Sequence, residues 1–275
     1  MENKPVSEQE RNERILRSRE FIYWQDVDYE SDQMLRRPQP PLVKEPMTDN
    51  VSKLPRNFED LNMEKDLIRL LAKRRSQRVY TGESMTKLQL SFLLWACQGV
   101  KGMRGKKYAT LRTVPSGGAR HPFETYLYVM NVEGMEPGLY HYLPMEHEIE
   151  FLKKQSKGMD EQAGKAICDQ KWGLKANVIF YFSITPYRGE WRYAFDAHRV
   201  MMIDAGHVTE NLYLGCGALG LGTCAIAACD SEAGNSLFGI EGTEEYIFYA
   251  APVGTVSDAN EDDEQAFYAF LKDED

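Results

Sequence analysis

Residues 123–130 alternate as a strand does. Phe123, Thr125, Leu127 and Val129 fall on one side, and Glu124, Tyr126 and Tyr128 on the other. Residues 177–184 hold a continuous apolar run, Val178-Ile179-Phe180-Tyr181-Phe182, which predicts a strand covered on both faces. Residues 139–142 and 149–152 read as a hairpin around Pro144-Met145-Glu146-His147, preceded by turn signals at Gly134 and Pro137-Gly138. Thr223 to Ala228 and Tyr246 to Ala250 complete the predicted strands. Helical spacing governs the other apolar positions. Met63, Leu67, Leu70 and Leu71 predict a helix over 62–73. A second helix places Leu90, Leu93, Leu94 and Cys97 on one face, with Thr86 as its cap and Gly99 after its end. Residues 199–219 predict a long helix rich in small residues, and the acidic tail 262–271 a last one. Helices and strands follow no regular βαβ order, which points to an α+β layered sandwich.

The chain divides at about residue 60. Arg37-Pro38-Gln39-Pro40-Pro41-Leu42 is excluded from helix interiors and central strands. Before it, residues 8–24 mix charges with Ile15, Leu16, Phe21, Ile22 and Trp24. The first 60 residues therefore read as a short helix and an extended arm that packs on its own core or on a neighbouring subunit. Residues 61–275 read as the main domain. The chain of 275 residues, 43% hydrophobic and 27% charged, has ordinary globular composition. Its net charge of −9 argues against nucleic acid as a partner but leaves room for a small phosphorylated ligand. The polar N-terminus is not a signal peptide, and the longest apolar run is too short for a bilayer. Five cysteines without a CxxC pair fit a reducing cytoplasm, and Cys216, Cys224 and Cys229 match no zinc spacing, so no metal is expected.

Candidate chemistry begins at Arg74, Ser76 and Arg78, with Arg75 beside them. In an extended segment, residues two apart point the same way, so two guanidinium groups and a hydroxyl can converge on a phosphate. The same cations also suit the end of a helix. A second segment runs Pro115-Ser116-Gly117-Gly118. Its proline stiffens the approach, and its glycines let backbone amides come close to a flat ligand. Gly215-Cys216-Gly217-Ala218-Leu219-Gly220 satisfies GxGxxG, but a helix precedes it and a strand follows. That order is the reverse of a dinucleotide site, so the glycines read as helix packing and termination.

Four ordered segments carry a resemblance: Arg-Arg-Ser-Gln-Arg at 74–78, Pro-Ser-Gly-Gly-Ala-Arg-His-Pro at 115–122, Pro-Gly-Leu-Tyr-His-Tyr at 137–142, and Asp-Ala-Gly-His through Ala-Leu-Gly-Leu-Gly-Thr at 204–223. Across about 65–256 the chain resembles the nitroreductase family of FMN-dependent oxidoreductases, with a closer likeness to the SagB-type dehydrogenases, which include azoline oxidases. The resemblance implies a central, mainly antiparallel sheet flanked by helices, in a homodimer with two FMN sites at the interface. It assigns the FMN phosphate and ribityl to Arg74, Ser76 and Arg78 with Arg75 near, and places Arg78 also by the ring N1. Pro115, Ser116, Gly117 and Gly118 would lie against the isoalloxazine from the other subunit. Leu221, Gly222, Ala227 and Ala228 would pass its opposite face, and Asn211 joins this cofactor set.

Two departures matter. Relatives place a Lys or Arg after the last strand, where this chain has Ala251-Pro252-Val253-Gly254 and then Thr255-Val256-Ser257-Asp258. The azoline-oxidase branch carries a Lys-Tyr pair where this chain has Arg192-Tyr193. Arginine cannot act as a base near neutral pH, whereas Tyr193 can donate a proton. That favours a reductase, with hydride passing from NAD(P)H through flavin N5 to a nitroaromatic, quinone or activated alkene in ping-pong order. The alternatives are an FMN-dependent dehydrogenase of peptide azolines and a non-catalytic flavin-binding protein. An ion pair with Glu190 is the plainer reading of Arg192. His121 and His207 read as packing or supporting residues, Tyr187 and Trp191 as lining the open flavin face, and the arm as wrapping the partner subunit.

Overall fold

In the computed structural model, which describes residues 7–9, 11–13 and 30–257, the two alternating sides of residues 123–129 enter two different cores. The strands are β1 (Val51–Lys53), β2 (Val100–Arg104), β3 (Ala109–Arg112), β4 (Phe123–Val129), β5 (Gly138–Leu143), β6 (Glu148–Lys154), β7 (Val178–Ile184), β8 (Leu221–Thr223) and β9 (Tyr246–Thr255). The helices are α1 (Leu67–Lys73), α2 (Lys87–Gln98), α3 (Met159–Ala166), α4 (Pro186–Tyr193), α5 (Ala197–Ala218) and α6 (Ser231–Phe238). Seven strands form one sheet in the order β1-β6-β5-β4-β7-β9-β8, each paired antiparallel to its neighbours, and β2 and β3 make a separate hairpin.

The apolar run at 178–184 occupies the middle of this sheet, and every residue of β4 and β7 is buried. Leu127 pairs with Phe180 on the face that α2 and α5 cover through Leu90, Leu93, Leu94, Val208 and Leu212. Tyr126 pairs with Tyr181 on the other face, under Met159 and Ala163 of α3 and Leu237 and Phe238 of α6. Each fully buried side chain of this size contributes about 1.5–3 kcal/mol. The α+β layered sandwich read from the sequence is therefore the fold, and its layers number three. Its second helix follows the predicted signals: Thr86 Oγ1 accepts from the Gln89 amide at 3.2 Å, Gln89 Oε1 accepts from the Thr86 amide at 2.8 Å, and Gly99 follows the last turn.

Three expectations need adjustment. The first helix starts at Leu67 and not at residue 62, because the Asp66 carboxylate accepts from the Ile68 and Arg69 amides and the Glu64 amide donates to the Ala218 carbonyl. The strand expected over 223–228 ends at Thr223, and Ile226 makes only an isolated bridge to Ala250. The last strand extends beyond Ala250 to Thr255, so Ala251-Pro252-Val253-Gly254 lies inside it. The acidic tail helix and most of the helix expected over 8–24 fall outside the described residues.

The described part of the arm lies on its own chain. β1 pairs with β6, so the sheet begins before the boundary at 60–61. Lys44 Nζ donates to Glu245 at 2.6 Å and to Tyr126 Oη at 2.8 Å, and its amide donates to Glu124. Glu124 also takes Arg188 at 2.5 Å, and the Met47 and Thr48 amides donate to Glu150. These buried carboxylates each have cationic or amide partners, as burial of charge demands. The described residues 30–53 therefore strap across their own chain.

Candidate functional site

The long helix α5 separates the candidate residues into two groups. At its C-terminal end, Tyr213 organises the arginine segment. Its hydroxyl lies 3.0 Å from Ser76 Oγ and accepts from the Ala225 amide at 2.9 Å, while the Arg74 guanidinium sits 5.4 Å over its ring. The Gln77 amide donates to the Thr223 carbonyl at 2.9 Å, pinning this segment beside β8. Gly222 permits the approach, since a Cβ there would lie 2.8 Å from Gln77 Oε1. A cleft of about 630 Å³ opens between them, lined by Lys73, Arg74, Arg75, Gln77, Gly220 and Leu221 among others.

The expected convergence is thus partial. Arg74 and Ser76 meet on Tyr213, Arg75 lines the cleft, and Arg78 stacks 5.7 Å over Trp172. Leu221 and Gly222 adjoin them on β8, and Ala227 and Ala228 follow as exposed residues. Asn211 stands apart, donating from Nδ2 to the Ala96 carbonyl at the end of α2. Residues two apart on a helix point to different sides, so Asn211 cannot share the Tyr213 face.

The second group gathers near the start of α5. The Gly117 amide donates to both carboxylate oxygens of Asp204 at 3.1 Å. Burial raises the Asp204 pKa, while hydrogen bonds from Ser116 and Gly117 work in the opposite direction. A Cβ on Gly117 would strike Val200. Gly118 has φ 56°, and a Cβ there would lie 2.5 Å from Arg192 Nε and 2.7 Å from Tyr193 Oη. The glycines of the Pro115–Gly118 loop are thus required by contact as well as by conformation. Arg120, 4% exposed, closes the loop by donating from Nε to the Gly118 carbonyl at 3.0 Å. His121 lies behind it. Burial, aided by Arg112, drives the His121 pKa down to about 2, so its ring is neutral and supportive.

Two readings of α4 change. Arg192 makes no pair with Glu190; it donates from Nη1 to Tyr108 Oη at 2.6 Å, and Glu190 takes His198 at 3.1 Å. Trp191 is buried and its indole donates to the Arg37 carbonyl, so it lines no open face. Tyr187 is exposed and bonded to Asp32. Lys73, Tyr108, Arg120 and Tyr213 escaped the sequence reading. Their roles arise from tertiary contacts that no local pattern encodes, except that Lys73 continues the cationic run at 74–75.

Asp204 and Tyr213 are nine residues apart on α5. At about 100° and 1.5 Å per residue, they point to opposite sides of the helix and lie about 13 Å apart along its axis. The two groups within one chain therefore face away from each other.

Residues 71–255 match the model of the nitroreductase family. A provisionally named nitroreductase of Methanocaldococcus jannaschii is 33% identical over 198 residues, covering 72% of this chain and 93% of that protein. The trifolitoxin-processing protein TfxB of Rhizobium leguminosarum bv. trifolii is 32% identical over 113 residues, 40% of this chain and 30% of TfxB. The E. coli microcin synthetase McbBCD, solved with truncated pro-MccB17 bound, shares the fold. Its TM-score is 0.55 at 15% identity, over 94% of this chain and 100% of that one.

Proposed function

Because the chain belongs to the nitroreductase family, we propose that it is an FMN-dependent oxidoreductase whose site is completed by a second copy of the chain. The observation that carries this reading is the cleft holding Lys73, Arg74 and Arg75 beside Gly220 and Leu221. Clustered cations in a concave site fit a phosphate through short, charge-assisted hydrogen bonds. Lys73 offers a charge where Val256-Ser257-Asp258, directly after β9, offers none. Arg74, Arg75 and Ser76 bind the FMN tail, and Arg78 with Leu221, Gly222, Ala227 and Ala228 borders the ring. The Pro115–Gly118 loop of the other copy covers the ring and excludes water. FMN, when bound, would supply two-electron hydride chemistry at N5 for a ping-pong reaction between NAD(P)H and a nitroaromatic, quinone or activated alkene. Tyr193 carries a transferable proton on its hydroxyl. Arg192 stays cationic, because burial works against its charge but contacts with Tyr193 and Tyr108 outweigh burial.

A second reading, dehydrogenation of a peptide azoline, is favoured by the likeness to TfxB and to McbBCD. Against it stands Arg192, which cannot remove a substrate proton. Turnover of a nitroaromatic with NADPH, and none of an azoline peptide, separates the two.

FMN titration followed by fluorescence tests the cofactor. The native chain binds, and Arg74→Ala weakens binding by about 10- to 100-fold, the worth of one hydrogen bond to a charged group. A chain that takes up no FMN contradicts the reading.

A further inference from the structure

The arm reaches the candidate catalytic residue Arg192 through Tyr108. Gln33 Nε2 donates to Tyr108 Oη at 2.7 Å, and Arg192 Nη1 donates to the same oxygen at 2.6 Å. Both lone pairs of the phenol oxygen are thus occupied, one by the arm and one by α4. The rest of Tyr108 belongs to the loop. Arg120 lies 4.9 Å over its ring and donates from Nη2 to its carbonyl at 2.9 Å, while its Nε holds the Gly118 carbonyl. Arg192 in turn fills the notch that Gly118 leaves by lacking a Cβ. The arm also grips α4 one turn apart. Asp32 accepts from Tyr187 Oη at 2.8 Å, the Gln33 amide donates to the Trp191 carbonyl at 2.7 Å, and the Arg37 carbonyl accepts from the Trp191 indole at 3.1 Å.

We propose that Gln33 and Tyr108 are positioning residues, through which the arm fixes Arg192 against the Pro115–Gly118 loop. The importance of that loop rests on the function proposed above; the chain of contacts does not. Without Gln33, Tyr108 loses one of the two donors that fix its hydroxyl, and the partner of Arg192 becomes mobile. Arg192 then leaves the Gly118 notch, and the loop amides open more often.

Amide hydrogen exchange on the flavin-free chain tests this. Gln33→Ala and Tyr108→Phe each speed exchange at residues 117–119 by about tenfold, the scale of one hydrogen bond, and the double variant is no faster than Tyr108→Phe, as coupled residues require. FMN affinity of the same variants falls by no more than the same factor of about ten, because only the loop over the ring is loosened and the arginines that hold the FMN tail are untouched. Unchanged exchange in both variants overturns the proposal. So do strictly additive effects, or an effect of Tyr108→Phe without one of Gln33→Ala, which removes the arm from the relay. A chain that fails to bind flavin at all sinks the proposed function and leaves the exchange result to be read on its own.

Discussion

Gly118 adopts a left-handed backbone, φ 56°, in a space already filled by Arg192 and Tyr193. An alanine there meets both penalties, a strained dihedral and a clash with side chains that are themselves tethered. Gly118→Ala is expected to cost about 1–3 kcal/mol. It should lower the melting temperature and expel Arg192 from its contact with the loop. A melting temperature equal to the native one would show that the notch is slack. The glycine pair was legible in the sequence as a place where backbone approaches something closely. What approaches it within the chain was not, because Val200, Arg192 and Tyr193 arrive from elements 70 or more residues away. The same holds for Arg192: its neighbour in sequence, Glu190, is an obvious partner, and only the β2–β3 hairpin brings Tyr108 closer.

At the scale of elements, His147 ties the β5–β6 turn to α2 and to the segment after β1. Ser91 Oγ donates to the Pro55 carbonyl at 2.5 Å and lies 2.8 Å from His147 Nε2, while Tyr142 Oη lies 2.7 Å from Nδ1. The consistent assignment has Nε2–H donating to Ser91 and Nδ1 accepting from Tyr142. Burial, with Arg56 adding to it, pulls the His147 pKa from 6.5 down to about 4. A depressed folded pKa means that the neutral ring stabilises the fold above about pH 6.5, and that this stability is lost as pH falls toward 4. The loss is on the order of 3 kcal/mol. Urea unfolding at pH 7 and pH 4 should show His147→Gln losing less stability than the native chain over that interval. Equal losses would contradict the assignment. The hairpin itself, like β4, β7, α2 and α5, was readable because alternation and helical spacing there coincide with burial. α1 was harder. Its apolar residues Leu67, Ile68 and Leu71 are 59%, 80% and 55% exposed in the single chain, so periodicity marked a face without revealing what covers it.

Across the whole molecule, that face of α1 and a second apolar group, Phe195, Met202 and Ile203, are among the large apolar side chains that a single chain leaves exposed in its described residues. Apolar patches of this kind mark interaction surfaces. No helix among the described residues is long and apolar enough to cross a membrane. In the function proposed here, a second copy of the chain would cover these patches and complete the site, because α5 turns its arginine group and its loop group to opposite sides. The central claim is that each flavin is held by arginines of one chain and the loop of another. Mixing two flavin-poor variants tests it most directly: Arg74→Ala/Arg78→Ala, and a chain whose loop is disrupted by Gly117→Val/Gly118→Val. Randomly reassorted dimers contain one intact site in half of their number, so about a quarter of all sites should regain FMN. Recovery to that level is the predicted result. A mixture that binds no more flavin than its two components would contradict a site shared between chains.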